Sequence, residues 1–571
     1  MRLLATDFHV IVADENQIEV SFSKTFDGRD DDSLPLNVDK RYVLQAGRSG
    51  FYTYAIFDHP QGWPDLNIVQ ARISLNLKAR LFNFMAISDH IQRPMPTPAD
   101  RVYGSQPLAY KEAALLTHPS NPTFKGEVDD KYQYSLENKD IKVHGWICPH
   151  PHIGFWVITG SSEFRSGGPI KQDLTSHVGP VALSMFFSNH YAGKVHTVKL
   201  RNGEAWKKVF GPVFIYLNSH SGKNRHRPQS LWENAKETML LETKSWPYNF
   251  PMSRDYLKGD QRGSIVGRLL VHADRYISRE IMAAKSAYVG LAPPGKAGSW
   301  QRDVKGYQFW TQTNKTGDFK ILAVRPGNYN LYAWVPGILG DYKYNTSINI
   351  TPGDNIKLRL VFYPPRNGPT LWEIGIPDRK ASEFFVPDPN PRLVNKVFIN
   401  RTADKFRQYG LWNRYAHYYP KQDLVYTVGK SNYTRDWFFA HVNRRVGRKN
   451  VFESTTWRIL FSVHNVNQTG TYTLRIALAA STYADVLVWI NNRDKRRPDF
   501  IINWLGADNA IARHGIHGLY SEHSFTFFGS QLVNGENTIY LKQPRNGSSF
   551  MGVMYDYIRL EGDRTGTRKN I

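Results

Sequence analysis

The chain has 571 residues, 41% apolar and 22% charged, a balance too rich in core-formers for disorder or collagen, and its length predicts three or four folding units at roughly 150 residues each. Lys plus Arg number 73 against 50 for Asp plus Glu, a formal net charge of +23, and 13% of residues are aromatic; such a surface recruits a polyanion, and its aromatics suit flat-faced ligands, either bases or sugar rings. No apolar run reaches the roughly 18 residues that span a bilayer, and the single cysteine, Cys148, excludes intrachain disulfides and Cys-rich zinc sites.

The start, Met1 to Asp7, lacks the apolar stretch of a signal peptide. Beyond it the pattern is all-β, with short alternating runs between turn signals at 17–22, 71–77, 213–217 and 472–478. One stretch reads as a helix: residues 230–242 follow Pro228, carry Leu231, Ala235 and Met239 on one stripe, and would brace the end of a first domain. From Gly263 to Pro364 short, evenly spaced strands predict a small antiparallel sandwich of immunoglobulin or fibronectin type. The run Pro364-Pro-Arg-Asn-Gly-Pro reads as a linker, and the strands from about Leu371 onward as a larger jelly roll. The expected division is 1–255, 256–365 and 366–571.

Polar chemistry concentrates in the first unit. Lys131 follows Asp129 and Asp130; taken alone this is a solvated charge cluster, and as a strand it would put Asp129 and Lys131 on one face. A lysine acting as a base needs its pKa lowered by desolvation or neighbouring cations. The run 166–174 superficially looks like a phosphate loop but lacks the Gly-Lys-Ser/Thr ending; a tight turn presenting Arg165 and Lys171 is the better functional reading, and an ordinary hairpin the plainer one. His190, between Asn189 and Tyr191 and just before Gly193, has the chemistry of a general acid or base, although an isolated histidine is usually structural. No His-x-x-x-His pair accompanies it, so no metal is expected there. Arg93, at a strand end, could clamp a carboxylate. The basic clusters Arg444, Arg445, Arg448, Lys449 and Arg493, Lys495, Arg496, Arg497 invite a nucleic-acid reading, but solvated loop charge is their usual meaning and no recognition motif supports them.

These segments, in this order, carry a resemblance. Lys131-Tyr-Gln-Tyr-Ser, Val143-His-Gly-Trp, Gly154-Phe-Trp-Val-Ile, the run from Glu163 to Pro180, Asn189-His-Tyr-Ala-Gly and Gly203-Glu-Ala-Trp-Lys-Lys-Val-Phe-Gly-Pro-Val resemble the rhamnogalacturonan endolyases of polysaccharide lyase family 4, above all their plant branch. Tyr288-Val-Gly-Leu-Ala-Pro-Pro-Gly and Tyr329-Asn-Leu-Tyr-Ala-Trp-Val-Pro-Gly resemble that family's fibronectin type III-like middle domain. Trp372-Glu-Ile-Gly-Ile-Pro-Asp-Arg resembles the start of its carbohydrate-binding-like jelly roll. The resemblance implies a catalytic β-sandwich followed by those two domains, and β-elimination on the rhamnose–galacturonate backbone of rhamnogalacturonan I. That polymer is a polyanion of sugar rings, which the composition suits. It implies Lys131 as the base that takes the C5 proton of galacturonate and His190 as donor to the leaving oxygen, with Arg93 neutralising the carboxylate and helping to neutralise Lys131, and Arg165 and Lys171 as further substrate contacts. The acidic polysaccharide is the expected partner, with no nucleic acid and no membrane, in an extracellular or cell-wall location; oligomeric state is not legible. No cofactor is expected to be required. Calcium is common in polysaccharide lyases generally, but no Asp/Glu loop here has EF-hand spacing, so a structural calcium is not readable. Two departures from the family stand out. Ile91 occupies a place where plant members tend to carry a second arginine, and Phe8–Phe22 resembles an internal stretch of the catalytic domain, so the chain reads as shortened at its N-terminus. Both open the alternative of a catalytically impaired member that still binds acidic polysaccharide.

Overall fold

The computed structural model describes residues 3–28, 34–109, 112–219, 228–272, 280–447 and 450–563. Arg448 and Lys449 of the first basic cluster lie outside them. The first unit is built on a nine-stranded antiparallel sheet in the order 7–13, 17–24, 37–45, 50–59, 206–219, 153–159, 143–148, 84–86 and 92–94. A smaller sheet of 176–177, 181–188 and 70–76 covers one face. The helix Pro228–Ser245 packs on the other, against 143–148, 153–159 and 206–219.

Alternation along the central strands separates the two cores. Trp146, Val157, Phe210 and Ile215 face the small sheet and meet Ala182, Phe186 and Phe187. Trp156, Ile158, Phe214 and Tyr52 face the helix and meet Leu231, Trp232 and Ala235. Trp156 also donates through Nε1 to Asn218 Oδ1 at 2.8 Å, whose Nδ2 donates to the Leu231 carbonyl at 2.9 Å, so the buried indole N–H is satisfied and the helix start is pinned. The helix does brace this unit, as its apolar stripe predicts. At the sheet's outer edge, strand Asp7–Ala13 leaves Phe8 and Val10 exposed.

The second sandwich begins with strand Gly263–His272, which pairs in parallel with Asn355–Phe362 and antiparallel with Asp318–Val324. Its other sheet holds Phe309–Gln312, Tyr288–Ala292 and Gly327–Trp334. The third begins with Thr370–Gly375 and is organised by the twenty-residue strand Thr471–Ile490, which pairs in turn with four neighbours. Lys495 pairs with Asp499 at 2.8 Å in a surface loop, as the solvated-loop reading of the second basic cluster expects, whereas Arg444 of the first opens the strand Arg444–Val446, is only 11% exposed and pairs with Asp423.

The three units are tied together by buried contacts. Glu163 of the first accepts from both terminal guanidinium nitrogens of Arg262 at 2.6 and 3.1 Å. The third returns to the first through loop 508–518, where His517 Nε2 lies 2.7 Å from the Ile170 carbonyl. That loop decides the geometry of the site.

Candidate active site

Lys131 does not sit on a strand. The strand Val128–Asp129 ends at once, and Lys131–Gln133 form a single 3-10 turn capped by Asp130. Asp130 Oδ1 accepts the Tyr132 N–H at 3.1 Å, and Gln133 Oε1 accepts the Asp130 N–H at 3.0 Å, a reciprocal capping box. The expectation that Asp129 and Lys131 share a strand face is therefore corrected, and the Asp-x-x-Gln spacing that produces the turn is in the sequence. The two aspartates also point away from Lys131. Asp129 takes the Arg101 guanidinium and the Tyr134 hydroxyl, the latter at 2.8 Å, while Asp130 Oδ2 lies 3.0 Å from His514 Nε2 of the third unit. Lys131 Nζ instead pairs with Glu112 at 3.2 Å and lies 5.1 Å from the centre of the Tyr132 ring.

His190 follows the strand Val181–Ser188, and its ring meets the same Tyr132 edge-on at 5.5 Å. Lys131 Nζ and the His190 ring are thus separated by no more than the sum of those two distances. A third group joins them: the Arg513 guanidinium lies 4.2 Å over the Tyr132 ring. Gln70 bridges His190 and Arg72 in the amide orientation that satisfies both, its nitrogen donating to His190 Nε2 at 3.2 Å and its oxygen accepting from Arg72 Nη1 at 2.9 Å. Lys131 keeps 23% of its side chain exposed, whereas His190 is recessed at 6%. Burial first, and then the charges of Arg513, Lys171, Lys131 and Arg72, press the His190 imidazole down to about 2, so in the free protein it is neutral at any working pH.

The three predicted binding residues are placed differently. Lys171 is buried, pairs with Asp173 at 2.7 Å and donates to Ser188 Oγ at 3.1 Å, two residues before His190; its burial lowers its pKa. Arg165 is buried, 2% exposed, donating to the Met185 carbonyl and Thr159 Oγ1 at 3.2 and 3.4 Å, and burial lowers it to about 10. The Arg93 guanidinium is held by both oxygens of Glu127 at 2.8 and 3.2 Å and by Asn395 at 3.2 Å, over the Phe124 ring. It is committed to Glu127 rather than turned toward Lys131. The cations gathered around His190 are Arg72, Lys171 and Arg513. Arg72 and Arg513 were not singled out from the sequence.

The third unit closes on this loop at van der Waals distance. Asn509 Oδ1 accepts the Tyr191 N–H at 2.7 Å and Asn509 Nδ2 donates to the Asn189 carbonyl at 3.1 Å, one on each side of His190. Gly193 makes the approach feasible: its φ is +75°, and a Cβ there would stand 1.8 Å from the Ala507 carbonyl oxygen.

Residues 1–128 match the Rhamnogalacturonate lyase family, 284–358 match Polysaccharide lyase family 4, domain II, and 370–560 match Polysaccharide lyase family 4, domain III. The chain belongs to polysaccharide lyase family 4. It is 25% identical over 462 residues to a rhamnogalacturonate lyase of Dickeya dadantii, an alignment covering 79% of this chain and 66% of the bacterial protein. It is 24% identical over 571 residues to rhamnogalacturonate lyase B of Emericella nidulans, covering 91% of this chain and 81% of the fungal one. The three-part all-β architecture of this family 4 chain, a large sandwich, a fibronectin-like sandwich and a carbohydrate-binding-like one, agrees with the sequence reading. Its Tyr132 lies in the Lys131–Ser135 motif, but nothing in the local pattern around residue 513 marks Arg513 as a neighbour of Tyr132.

Proposed function

We propose that this protein is a rhamnogalacturonan endolyase that cleaves the rhamnose–galacturonate backbone by β-elimination in the extracellular space or cell wall, leaving an unsaturated galacturonate. The observation that carries the reading is the meeting of Lys131, His190 and Arg513 around the Tyr132 ring. Elimination requires a base at C5, a proton for the C4 oxygen and positive charge near the carboxylate, because the C5–H is only weakly acidic until its enolate-like transition state is stabilised. Arg72, Lys171 and Arg513 supply that charge. Lys131, once its ammonium leaves Glu112 and gives a proton to solvent, offers a free amine that takes the C5 proton as C4=C5 forms and the C4–O bond breaks. His190 gives a proton to the departing oxygen.

His190 needs that proton first. Burial is the larger cause of its depression, and the cations that add to it are the ones a galacturonate carboxylate would neutralise, so the bound carboxylate acts in favour of the imidazolium. Its neutrality in the free protein also favours a second reading, in which His190 accepts the C5 proton and Lys131 donates. A galacturonate derivative with a low-pKa leaving group at C4 separates the two, since loss of the acid then ceases to matter. Under the first assignment His190→Ala is rescued and Lys131→Ala is not. The overall reading is tested by incubating purified rhamnogalacturonan I with the protein and following the ultraviolet absorbance of the C4=C5 bond. Lys131→Ala should abolish that signal and keep polymer binding, whereas binding without any absorbance from the unaltered chain would leave only the non-catalytic alternative.

A further inference from the structure

Where the first and second sandwiches meet, a cavity of about 620 Å³ opens between the segments 138–142 and 159–163 of the first and the strands Phe309–Gln312 and Asp318–Val324 of the second. It shares no lining residue with the group of Lys131, His190 and Arg513 around Tyr132. Its volume falls in the range of roughly 300–1,000 Å³ over which proteins hold small ligands. Gly168 and Pro169, from the glycine turn after Arg165, form part of its wall, and the elimination chemistry gives that turn no role.

Two lining side chains, Asn138 and Arg165, are each 2% exposed, and each keeps one buried polar atom without a partner among the described residues. Asn138 Nδ2 donates to the Ser166 and Gly168 carbonyls, both at 3.0 Å, which fixes the amide and leaves Oδ1 with no donor. Arg165 spends Nη1 and Nη2 on the Met185 carbonyl and Thr159 Oγ1, leaving its Nε–H open. The carboxylate that acts on Arg165 is Asp173, which is itself paired with Lys171 at 2.7 Å and does not offset the burial of the guanidinium. A buried donor and a buried acceptor lining one cavity are costly until polar groups within the cavity meet them.

The rest of the lining adds an aromatic face and cations. Trp310 is half-buried, and its ring lies over Gly290, where a Cβ would stand 2.3 Å from the indole Cδ2. The Trp300 ring packs on it at 4.7 Å, and its Nε1 donates to Gln308 Oε1 at 2.9 Å, so the platform is fixed. Basic residues outnumber acidic ones around the cavity, Lys139, Lys142, Lys320 and Arg165 against Asp140 and Glu163. Both acids are already paired, Asp140 with Lys139 at 2.5 Å and Glu163 with Arg262 at 2.6 Å, whereas Lys142 and Lys320 are exposed.

An indole face suits a sugar ring, a fixed amide oxygen takes a hydroxyl, and an open guanidinium N–H beside exposed lysines suits a carboxylate. We propose that this cavity is a second binding site, for a short uronate-bearing oligosaccharide, apart from the place where the bond is broken. It rests on the lyase reading only for which acidic sugar is taken.

The test titrates the full chain carrying Lys131→Ala, which keeps the probe intact, by isothermal calorimetry. One probe is a tetrasaccharide of alternating rhamnose and galacturonate, and the other is the same tetrasaccharide with its carboxylates reduced to alcohols. The acidic probe should show two classes of site. Trp310→Ala and Lys142→Glu, each added to that background, should weaken one class about tenfold and spare the other, the scale of one stacking contact or one charge-assisted hydrogen bond. The reduced probe should bind that class more weakly than the acidic one. In the chain that keeps Lys131, the same substitutions should leave kcat on the polymer unchanged. Acidic-probe binding that neither substitution alters, in variants with native circular dichroism spectra, overturns the proposal. So does equal binding of the two probes at the class that the substitutions weaken. A failed lyase reading looks different: the unaltered chain makes no ultraviolet-absorbing product, while the site that depends on Trp310 and Lys142 is still present.

Discussion

Replacing His514 by Asn isolates what the third sandwich contributes to the first. His514 has φ +56°, a left-handed backbone that Asn tolerates better than most residues, so the substitution avoids added strain. It removes the 3.0 Å contact to Asp130, in which both side chains are 0% exposed, and the stack on Trp412. Asp130 then keeps only its main-chain bond to Tyr132 and leaves a buried carboxylate oxygen without its partner. Leaving a buried carboxylate oxygen without its hydrogen-bond donor costs about 3 kcal/mol. Asp130 caps the turn that carries Lys131, so the relaxed turn should misplace the base, and a loss of that size from the transition state is a decrease in kcat/KM of roughly a hundredfold. Initial rates of ultraviolet-absorbing product, split into kcat and KM, with the melting curve measured on the same preparation, are the assay. A folded variant whose kcat/KM stays within about threefold of the parent would show that the capped turn holds Lys131 without help from the third sandwich, and the argument would be wrong.

Arg513→Gln should raise KM about tenfold, the scale of one charge-assisted hydrogen bond, and flatten the salt dependence of binding. It should also move the alkaline limb of the kcat/KM profile, on which a proton-donating His190 is lost, to higher pH, because Arg513 exerts the largest single charge effect on His190; an unshifted profile would separate the two. Gly193→Ala meets both a left-handed backbone and a main-chain oxygen, and should cost more than about 2 kcal/mol, read as a lower melting temperature with parallel loss of activity. Acid should destabilise the protein below pH 6.5. His190, His144, His196 and His441 are depressed to about 2, 4, 3 and 3, so the unfolded chain binds protons that the folded one refuses, and each contributes a loss of up to about 1.4 kcal/mol per pH unit as pH falls from 6.5 toward its folded value. Asp508 and Glu383, raised to about 7 and 8, act in the opposite sense, and their destabilising effect grows as pH rises from about 4 through those values. Denaturant midpoints between pH 4 and 8 check the sum, and a midpoint that climbs steadily down to pH 4 would contradict it.

Much of this molecule is written in local patterns. Period-two alternation is a property of single strands, so the sandwich cores around Trp146 and Trp156 and the helix Pro228–Ser245 follow from the chain read alone. The turn at Asp130–Gln133 was also legible, in its capping spacing, although the neighbouring alternation read it as strand. Lys131 and His190 were found by motif. Their surroundings were not. Arg93 sits at a strand end that suggests a free clamp, and only the packed structure provides Glu127 to occupy it. Arg513, the strongest charge on His190, and Asp556, which meets Asp378 and Glu383, come from segments far along the chain from their partners. A sequence records which side chains alternate, cap or turn, because those interactions are between near neighbours. Which distant loop docks against a given turn depends on how whole sandwiches bury their surfaces against each other, and that is why Arg513 and His514 reach Tyr132 and Asp130, on either side of Lys131, only in the folded protein.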